Sequence, residues 1–380
     1  MRLNPTLDAL GGYPFVRLTD ARAELEARGV EVVDLGVGEP REETPAFIRA
    51  ALADAIAPMA PYPLAVGTPA LREAAAGWVG RRFGVALDPA TEVVPTLGAK
   101  EALFSLPLLV REGAVAVTTP GYPVALRGAR LAGREVVELE LSAGRDFLPD
   151  LDAVPWDDVA LLHLNYPSNP TAATAPLAFY EEAAARCREH EVVLASDEAY
   201  CELWFGGDPP VSALQIADRT GVLAMHTLSK RSSMPGYRSG FVAGDPQLVA
   251  GLKRLRPNVG TAPQLFVQAA ATAAWAEDEH VAAVRDVYRA KREVLLPALR
   301  AAGLEPAGGE ASFFLWLRIP EGWSSSEAFA LALLEEGVIV APGSFFGEAG
   351  EGYVRAALVP THAEIELAAE RLLSWRAVPR

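Results

Sequence analysis

This 380-residue chain holds only two cysteines and five histidines, and nowhere runs eighteen apolar residues together. Cys187, within a helical pattern, and Cys201, just past an apolar run, cannot make a disulfide framework and read as reduced thiols. His163, His190, His226, His280 and His362 are scattered, with no set of Cys, His and carboxylate groups at ligand spacing, so no metal centre is expected. Without a long apolar run there is no candidate spanning helix, and Met1-Arg-Leu-Asn-Pro-Thr6 lacks the basic-then-apolar order of a signal peptide. A cytoplasmic location is expected. Basic residues are outnumbered, 34 Lys and Arg against 49 Asp and Glu, for a net charge of -15. Phosphate backbones and anionic membranes are gripped by clustered Lys and Arg, so neither nucleic acid nor membrane is an expected partner.

What the chain does have is length and apolar content, 51% of it hydrophobic, enough to bury a large core. Between about Thr91 and Asp245, short apolar runs ending in turn residues alternate with segments of helical period, the rhythm of a largely parallel sheet. Seven runs read as strands: Glu92 to Leu97, Ala114 to Thr119, Glu135 to Leu141, Val159 to Leu164, Val192 to Ser196, Val222 to Thr227 and Gly240 to Ala243. Lys100 to Val110, Tyr122 to Ala132 and Leu177 to His190 read as the crossover helices between them. A long helix, Asp278 to Ala302, bent at Pro297 and closed by Gly303, precedes strands at Ser312 to Ile319, Val338 to Ala341 and Tyr353 to Val359, with helices from Ser325 to Glu336 and from Ala363. The expected fold class is α/β: an arm over residues 1–30, a large domain with a mostly parallel seven-stranded sheet over 31–277, and a smaller α+β domain over 278–380.

In open parallel sheets, ligands collect at the carboxyl ends of the strands. One such end carries Thr227-Leu-Ser-Lys230, with Arg238 eight residues on. Two hydroxyls and a guanidinium suit a phosphate monoester, and a partly desolvated lysine becomes nucleophilic. Another end carries Asp197-Glu-Ala-Tyr200, a carboxylate able to keep a pyridine nitrogen protonated. A third ends in Asn165-Tyr-Pro-Ser-Asn169-Pro-Thr171.

Taken together, N-P-T, D-E-x-Y, S-K and G-x-R-x-G in this order resemble class I/II aminotransferases, the pyridoxal phosphate (PLP) enzymes of fold type I, over almost the whole chain from Leu35-Gly-Val-Gly-Glu-Pro40 to Tyr353-Val-Arg-Ala-Ala-Leu358. The resemblance implies PLP as cofactor, with Lys230 as the imine lysine, Asp197 as partner of the ring nitrogen, Tyr200 and Asn169 as donors to the 3-oxygen, and Tyr122 stacked on the ring. It implies a phosphate site from Gly98, Ala99, Lys100, Thr227, Ser229 and Arg238, completed by Tyr62 from the other subunit of a homodimer. Arg355 would grip the α-carboxylate of the substrate, beside Gly38 and Asn169. Ala172 stands where the family carries glycine in N-P-T-G, which puts the local backbone in question, since alanine tolerates positive φ poorly; Thr227 and Ser239 also depart from the commoner residues.

A narrower resemblance lies in Leu228-Ser-Lys-Arg-Ser-Ser-Met-Pro-Gly-Tyr-Arg-Ser-Gly-Phe-Val-Ala-Gly-Asp245, which is similar to N-succinyldiaminopimelate aminotransferases. Asn4 to Leu10, Tyr13-Pro-Phe15, Phe147 to Pro155 and Ala270 to Trp275 extend it. It implies amino transfer between glutamate and N-succinyl-2-amino-6-ketopimelate in lysine and diaminopimelate biosynthesis. Aspartate, aromatic or alanine aminotransferases and PLP lyases share the core motifs, while an effector-binding regulator would need a basic DNA-binding module absent here. For a distal carboxylate the candidates are Arg17, Arg41, Arg231 and Arg256, against their reading as solvated surface charges. Singly, each motif also has a plainer reading: Lys230 as a surface lysine, Asp197 as a helix cap, Asn169 as a turn residue, Tyr122 as core and Arg355 as an edge residue. His163 and His226 read as satisfied buried histidines with no role.

Overall fold

The computed structural model describes residues 4–9 and 16–375. Leu10, Tyr13 and Phe15 of the N-terminal motif, and the Arg17 side chain, lie outside what is described. All seven apolar runs pair in one sheet: β1 (Val93–Thr96), β2 (Ala114–Thr119), β3 (Val136–Glu140), β4 (Val159–Asn165), β5 (Val193–Asp197), β6 (Val222–Thr227) and β7 (Gly240–Gly244), in the order β1-β7-β6-β5-β4-β2-β3. Only β7 runs against the others. Because helices cover both faces, the central strands are continuously apolar rather than alternating, and β4 and β6 are buried throughout. The edge strand β3 instead exposes Glu138 and Glu140, charges that discourage pairing with another chain.

Helix Leu177–Glu189 buries Tyr180, Ala183, Ala184 and Cys187 against Leu162, Leu164 and Leu194 on one face. On the other, Leu103, Ala125 and Ala129 pack on Val115, Val117, Leu161 and Leu223. The first crossover helix is shorter than its pattern suggests. It ends at Ser105, and a 3-10 turn follows over Leu106–Leu108, where Pro107 lacks the amide a longer helix would use.

A second, antiparallel sheet takes the order Ala341–Pro342, Tyr353–Ala357, Phe314–Arg318, Glu305–Pro306, and is backed by the long helix Glu279–Ala301 and the terminal helix His362–Ser374. That long helix continues through Pro297 to Ala301. The run Val338 to Ala341 is not one strand: Val338–Ile339 pairs in parallel with Val33–Asp34, and Ala341–Pro342 pairs with Tyr353–Ala357. This ties the segment before Gly36 to the C-terminal part of the chain, so that residues 36–44 start from the second sheet and run towards the first. Both cysteines are buried and unpaired, and no described helix is long and apolar enough to cross a membrane.

Ala172 takes the left-handed conformation, with φ 57°. An L-residue there is strained by about 1 kcal/mol or more. Ala172→Gly should therefore stabilise the protein by about 1 kcal/mol after glycine's extra freedom in the unfolded chain is discounted; a thermal midpoint that falls would show the strain is absent.

Candidate active site

Strand register builds the site. Asn165 pairs across from Asp197, Asp197 from Met225, Thr227 from Gly240, and Gly240 from Thr96. The carboxyl ends of β4, β5, β6 and β1 therefore open at one level, and the turns that follow them wall a cavity of about 630 Å³. Gly38, Ala99, Lys100, Tyr122, Asn169, Asp197, Tyr200, Thr227, Ser229, Lys230, Arg238 and Arg355 all line it, and Gly98 sits directly behind Arg238.

Lys230 stands on a one-turn helix, Leu228–Arg231, which begins because the Thr227 hydroxyl accepts from the Ser229 amide. Its Nζ donates to the Gly38 carbonyl at 2.7 Å and lies 5.1 Å from the Phe313 ring centre. Burial lowers its pKa from 10.5 to about 7, and the Arg355 guanidinium pushes the same way. Asp197 moves in the opposite sense. Burial raises it from 3.8 to about 7, opposed by the Ala199 amide and by Lys230. A buried carboxyl with so few donors is suited to meet a cation brought by a ligand. Burial likewise raises the Tyr200 hydroxyl.

Asn165 was not singled out by the sequence reading, yet it organises the turn. Its Nδ2 donates to the Asp197 carbonyl at 2.9 Å, and its Oδ1 accepts from the Asn169 amide at 2.8 Å. An asparagine ending a strand, four residues before N-P-T, was the available signal. Asn169 in turn accepts through Oδ1 from Nη1 of Arg355 at 2.7 Å, while Nη2 of Arg355 donates to the Gly36 carbonyl at 2.6 Å. The guanidinium is held between the Phe314 and Phe346 rings, 4.1 and 4.6 Å from their centres.

At the other end of the cavity the Gly98 to Lys100 turn meets Arg238. Gly98 has φ 76°, and a Cβ there would lie 2.9 Å from an Arg238 nitrogen. Arg238 donates to the Pro235 and Leu97 carbonyls, and the Thr227 hydroxyl donates to Ser229 Oγ at 3.0 Å. Burial, Arg238 and Arg127 all lower Lys100, the mark of crowded positive charge. Hydroxyls, a guanidinium and free amides around a glycine-made hollow fit a phosphate, and Lys230 and Asp197 fit the aldehyde and ring nitrogen of PLP.

Other candidates lie elsewhere. Tyr62 is fully exposed and does not reach its own chain's cavity. Arg41 is paired with Glu364 at 2.9 Å. Arg231 and Arg256 are not solvated surface charges: both are buried, Arg231 bonded to the Ala274 and Glu277 carbonyls and to Asp278, Arg256 to Glu101 at 2.9 Å. Enclosed between helices, neither can meet a substrate. His163 and His226 are buried as read, but Nε2 of each lacks a hydrogen-bond partner among the described residues, so they are not satisfied in the sense expected.

Known proteins resemble this chain over nearly its whole length. The family described as Aminotransferase class I and II matches residues 30–372. An LL-diaminopimelate aminotransferase of Nitratidesulfovibrio vulgaris (strain DP4) is 40% identical over 381 residues, covering 98% of each chain. Among solved structures, an aminotransferase from Neisseria meningitidis superposes with a TM-score of 0.90 at 34% identity, covering 98% of this chain and 99% of that one. A probable N-succinyldiaminopimelate aminotransferase from Thermus thermophilus superposes with a TM-score of 0.87 at 32% identity, covering 94% and 99%. The chain belongs to the class I and II aminotransferases, PLP-dependent enzymes of fold type I.

Proposed function

We propose that this aminotransferase moves an amino group between glutamate and a diaminopimelate-type amino acid, in lysine and diaminopimelate biosynthesis. The observation that carries the reading is the meeting of Lys230, Asp197, Asn169 and Arg355 in one cavity at the strand ends. PLP, when bound, draws the electron pair of the substrate's Cα–H bond into its protonated ring. Asp197 keeps that ring nitrogen protonated. Lys230 would hold the cofactor through its amine and, as base and acid, would move the proton of the substrate's Cα. Tyr200 and Asn169 would donate to the ring 3-oxygen, Tyr122 would cover the ring, and Ser229, Thr227, Arg238 and the amides of Ala99 and Lys100 would hold the phosphate. Arg355 aims a two-pronged hydrogen bond at the α-carboxylate. Two keto acids leave and enter in turn, so kinetics are ping-pong.

The relatives at 40% identity, named for LL-diaminopimelate, favour the free diamine as substrate. Its far end carries an ammonium and a carboxylate, and the cavity offers Glu39 and Lys100 for these. The succinylated form is the second reading, favoured by the Leu228 to Asp245 segment and by the Thermus thermophilus structure. We assign the enzyme to the cytoplasm as a homodimer in which Tyr62 reaches the partner's phosphate site; Met59, Tyr62 and Leu64 form an exposed apolar surface that suits such burial. The division into an arm, a large domain to residue 277 and a small domain from residue 278 belongs to the same reading.

Visible spectra with glutamate, then with LL-diaminopimelate and its N-succinyl derivative, should show conversion to the pyridoxamine form with glutamate and with one of the two pimelates, and no turnover in Lys230→Ala. No conversion with either pimelate would discard the pathway, and no PLP uptake would sink the whole reading. Arg355→Lys should lower kcat/KM for all substrates by about tenfold to hundredfold, because lysine cannot reproduce the paired hydrogen bond. Since the Lys230 amine is uncharged only above its pKa, the rate of PLP uptake by apoenzyme should rise with pH through a midpoint about 7, and a midpoint near the ordinary 10.5 would contradict the site's desolvation.

A further inference from the structure

Asp197 and Glu198 are adjacent carboxyls at the end of β5, and both are buried, 4% and 0% exposed. Successive side chains along a strand point to opposite faces, so Asp197 lines the cavity while Glu198 turns to the far side of the sheet. There it meets His226 of β6, whose ring is boxed by Trp78, Phe83 and Phe241, with centroids 4.9, 5.8 and 5.1 Å away. Oε2 of Glu198 and Nε2 of His226 stand 3.5 Å apart, and neither atom has a hydrogen-bond partner among the described residues. Oε1 accepts from the Ala213 amide at 2.8 Å, and Nδ1 of His226 lies 3.7 Å from Sγ of Cys201. Two buried polar atoms left this close without a hydrogen bond are costly unless a proton lies between them.

The surrounding charges decide which atom owns that proton. Facing the pair are Asp197, Tyr180 from helix Leu177–Glu189, Cys201, and Arg82 from helix Pro69–Phe83. Arg82 is already paired with Glu202 at 3.3 Å. Burial in the aromatic box pushes His226 down to about 3, with Arg82 adding to the shift, so its ring is neutral and can accept. Burial pushes Glu198 up to about 7 against the pull of Ser212, Ala213 and Ser196, and the charge of Asp197 raises it further. An ionised Glu198 would place two anions on adjacent residues in a dry site. A protonated Glu198 that donates to Nε2 leaves the box uncharged, with the Nδ1–H of His226 turned to the Cys201 sulfur.

We propose that Glu198 and His226 are a positioning pair for the transamination site: His226 holds the proton on Glu198, which leaves Asp197 as the single ionised acid at this sheet end, facing the ring nitrogen of PLP. The pair touches neither cofactor nor substrate and acts only through Asp197, so the inference rests on the role proposed for that residue. Asp197 and Glu198 have the same ordinary chemistry and both are buried. The neutral acceptor behind one of them is what separates their charge states.

Infrared spectroscopy of the holoenzyme at neutral pH, with Glu198→Gln and Asp197→Asn, reads the proton through the carboxylic-acid carbonyl band. The band should be lost in Glu198→Gln and kept in Asp197→Asn. Glu198→Gln, which mimics the protonated acid, should also keep the wild-type pH midpoint of the cofactor's visible absorbance. Nitrogen NMR of histidine-labelled wild-type apoprotein needs no variant, and should find Nε2 of His226 bare and Nδ1 protonated. A band unchanged in Glu198→Gln, or a protonated Nε2, overturns the proposal. A band lost in Asp197→Asn instead makes Asp197 the protonated member, and sinks this proposal together with the role given to Asp197. Failure of the protein to take up PLP sinks the role of Asp197 and the positioning purpose with it, while the apoprotein NMR still decides where the proton of the Glu198–His226 pair lies.

Discussion

The buried hydrogen bond from Arg355 to the Asn169 side chain, 2.7 Å long, joins the two sheets where the cavity forms. Asn169 is held from the large sheet by Asn165, and Arg355 projects from the middle of the small one, between Trp316 and Ala341 in register. The Gly36 carbonyl, on the segment that crosses between them, accepts the second arm of the same guanidinium. One side chain therefore ties the strand-end turn of the large sheet to the small sheet and to the segment between them. A residue with a single donor at its tip could not hold both partners.

The chemistry then follows from burial. Lys230 and Asp197 are drawn towards the same value, about 7, from opposite sides, because a dry site disfavours charge on either. The lysine becomes a usable nucleophile near neutral pH, and the carboxyl becomes responsive to whatever cation is set above it. Behind them, Glu198 and His226 repeat the same physics in an apolar box, where two orphaned atoms face each other. Gly38 lets the crossing segment approach, since a Cβ there would fall 2.6 Å from the Phe314 ring.

Much of this was legible in the residue order. Apolar runs bounded by turns mark the strands of the large sheet, because a strand covered on both faces has little choice but continuous hydrophobic residues, and only the edge strand β3 mixes in exposed charges. The motifs after those strands mark the cavity, because ligands gather at carboxyl ends. Less legible were Asn165, whose role is to hold backbone rather than ligand, and the division of Val338 to Ala341 between two partners, which depends on what lies beside each residue. The charges of Arg231 and Arg256 were misread as solvated, since side-chain burial is decided by helices distant in sequence.

By itself the sequence determined the α/β class, the order of strands and helices, and the kinds of groups offered at the strand ends, because these depend on local periodicity and on residue chemistry. Tertiary structure alone decided the register that brings Asn165, Asp197 and Thr227 level, the desolvation that shifts Lys230 and Asp197, and the pairing of Arg355 with Asn169. Those depend on contacts between residues up to 186 positions apart, and on the exclusion of water that only a packed interior provides.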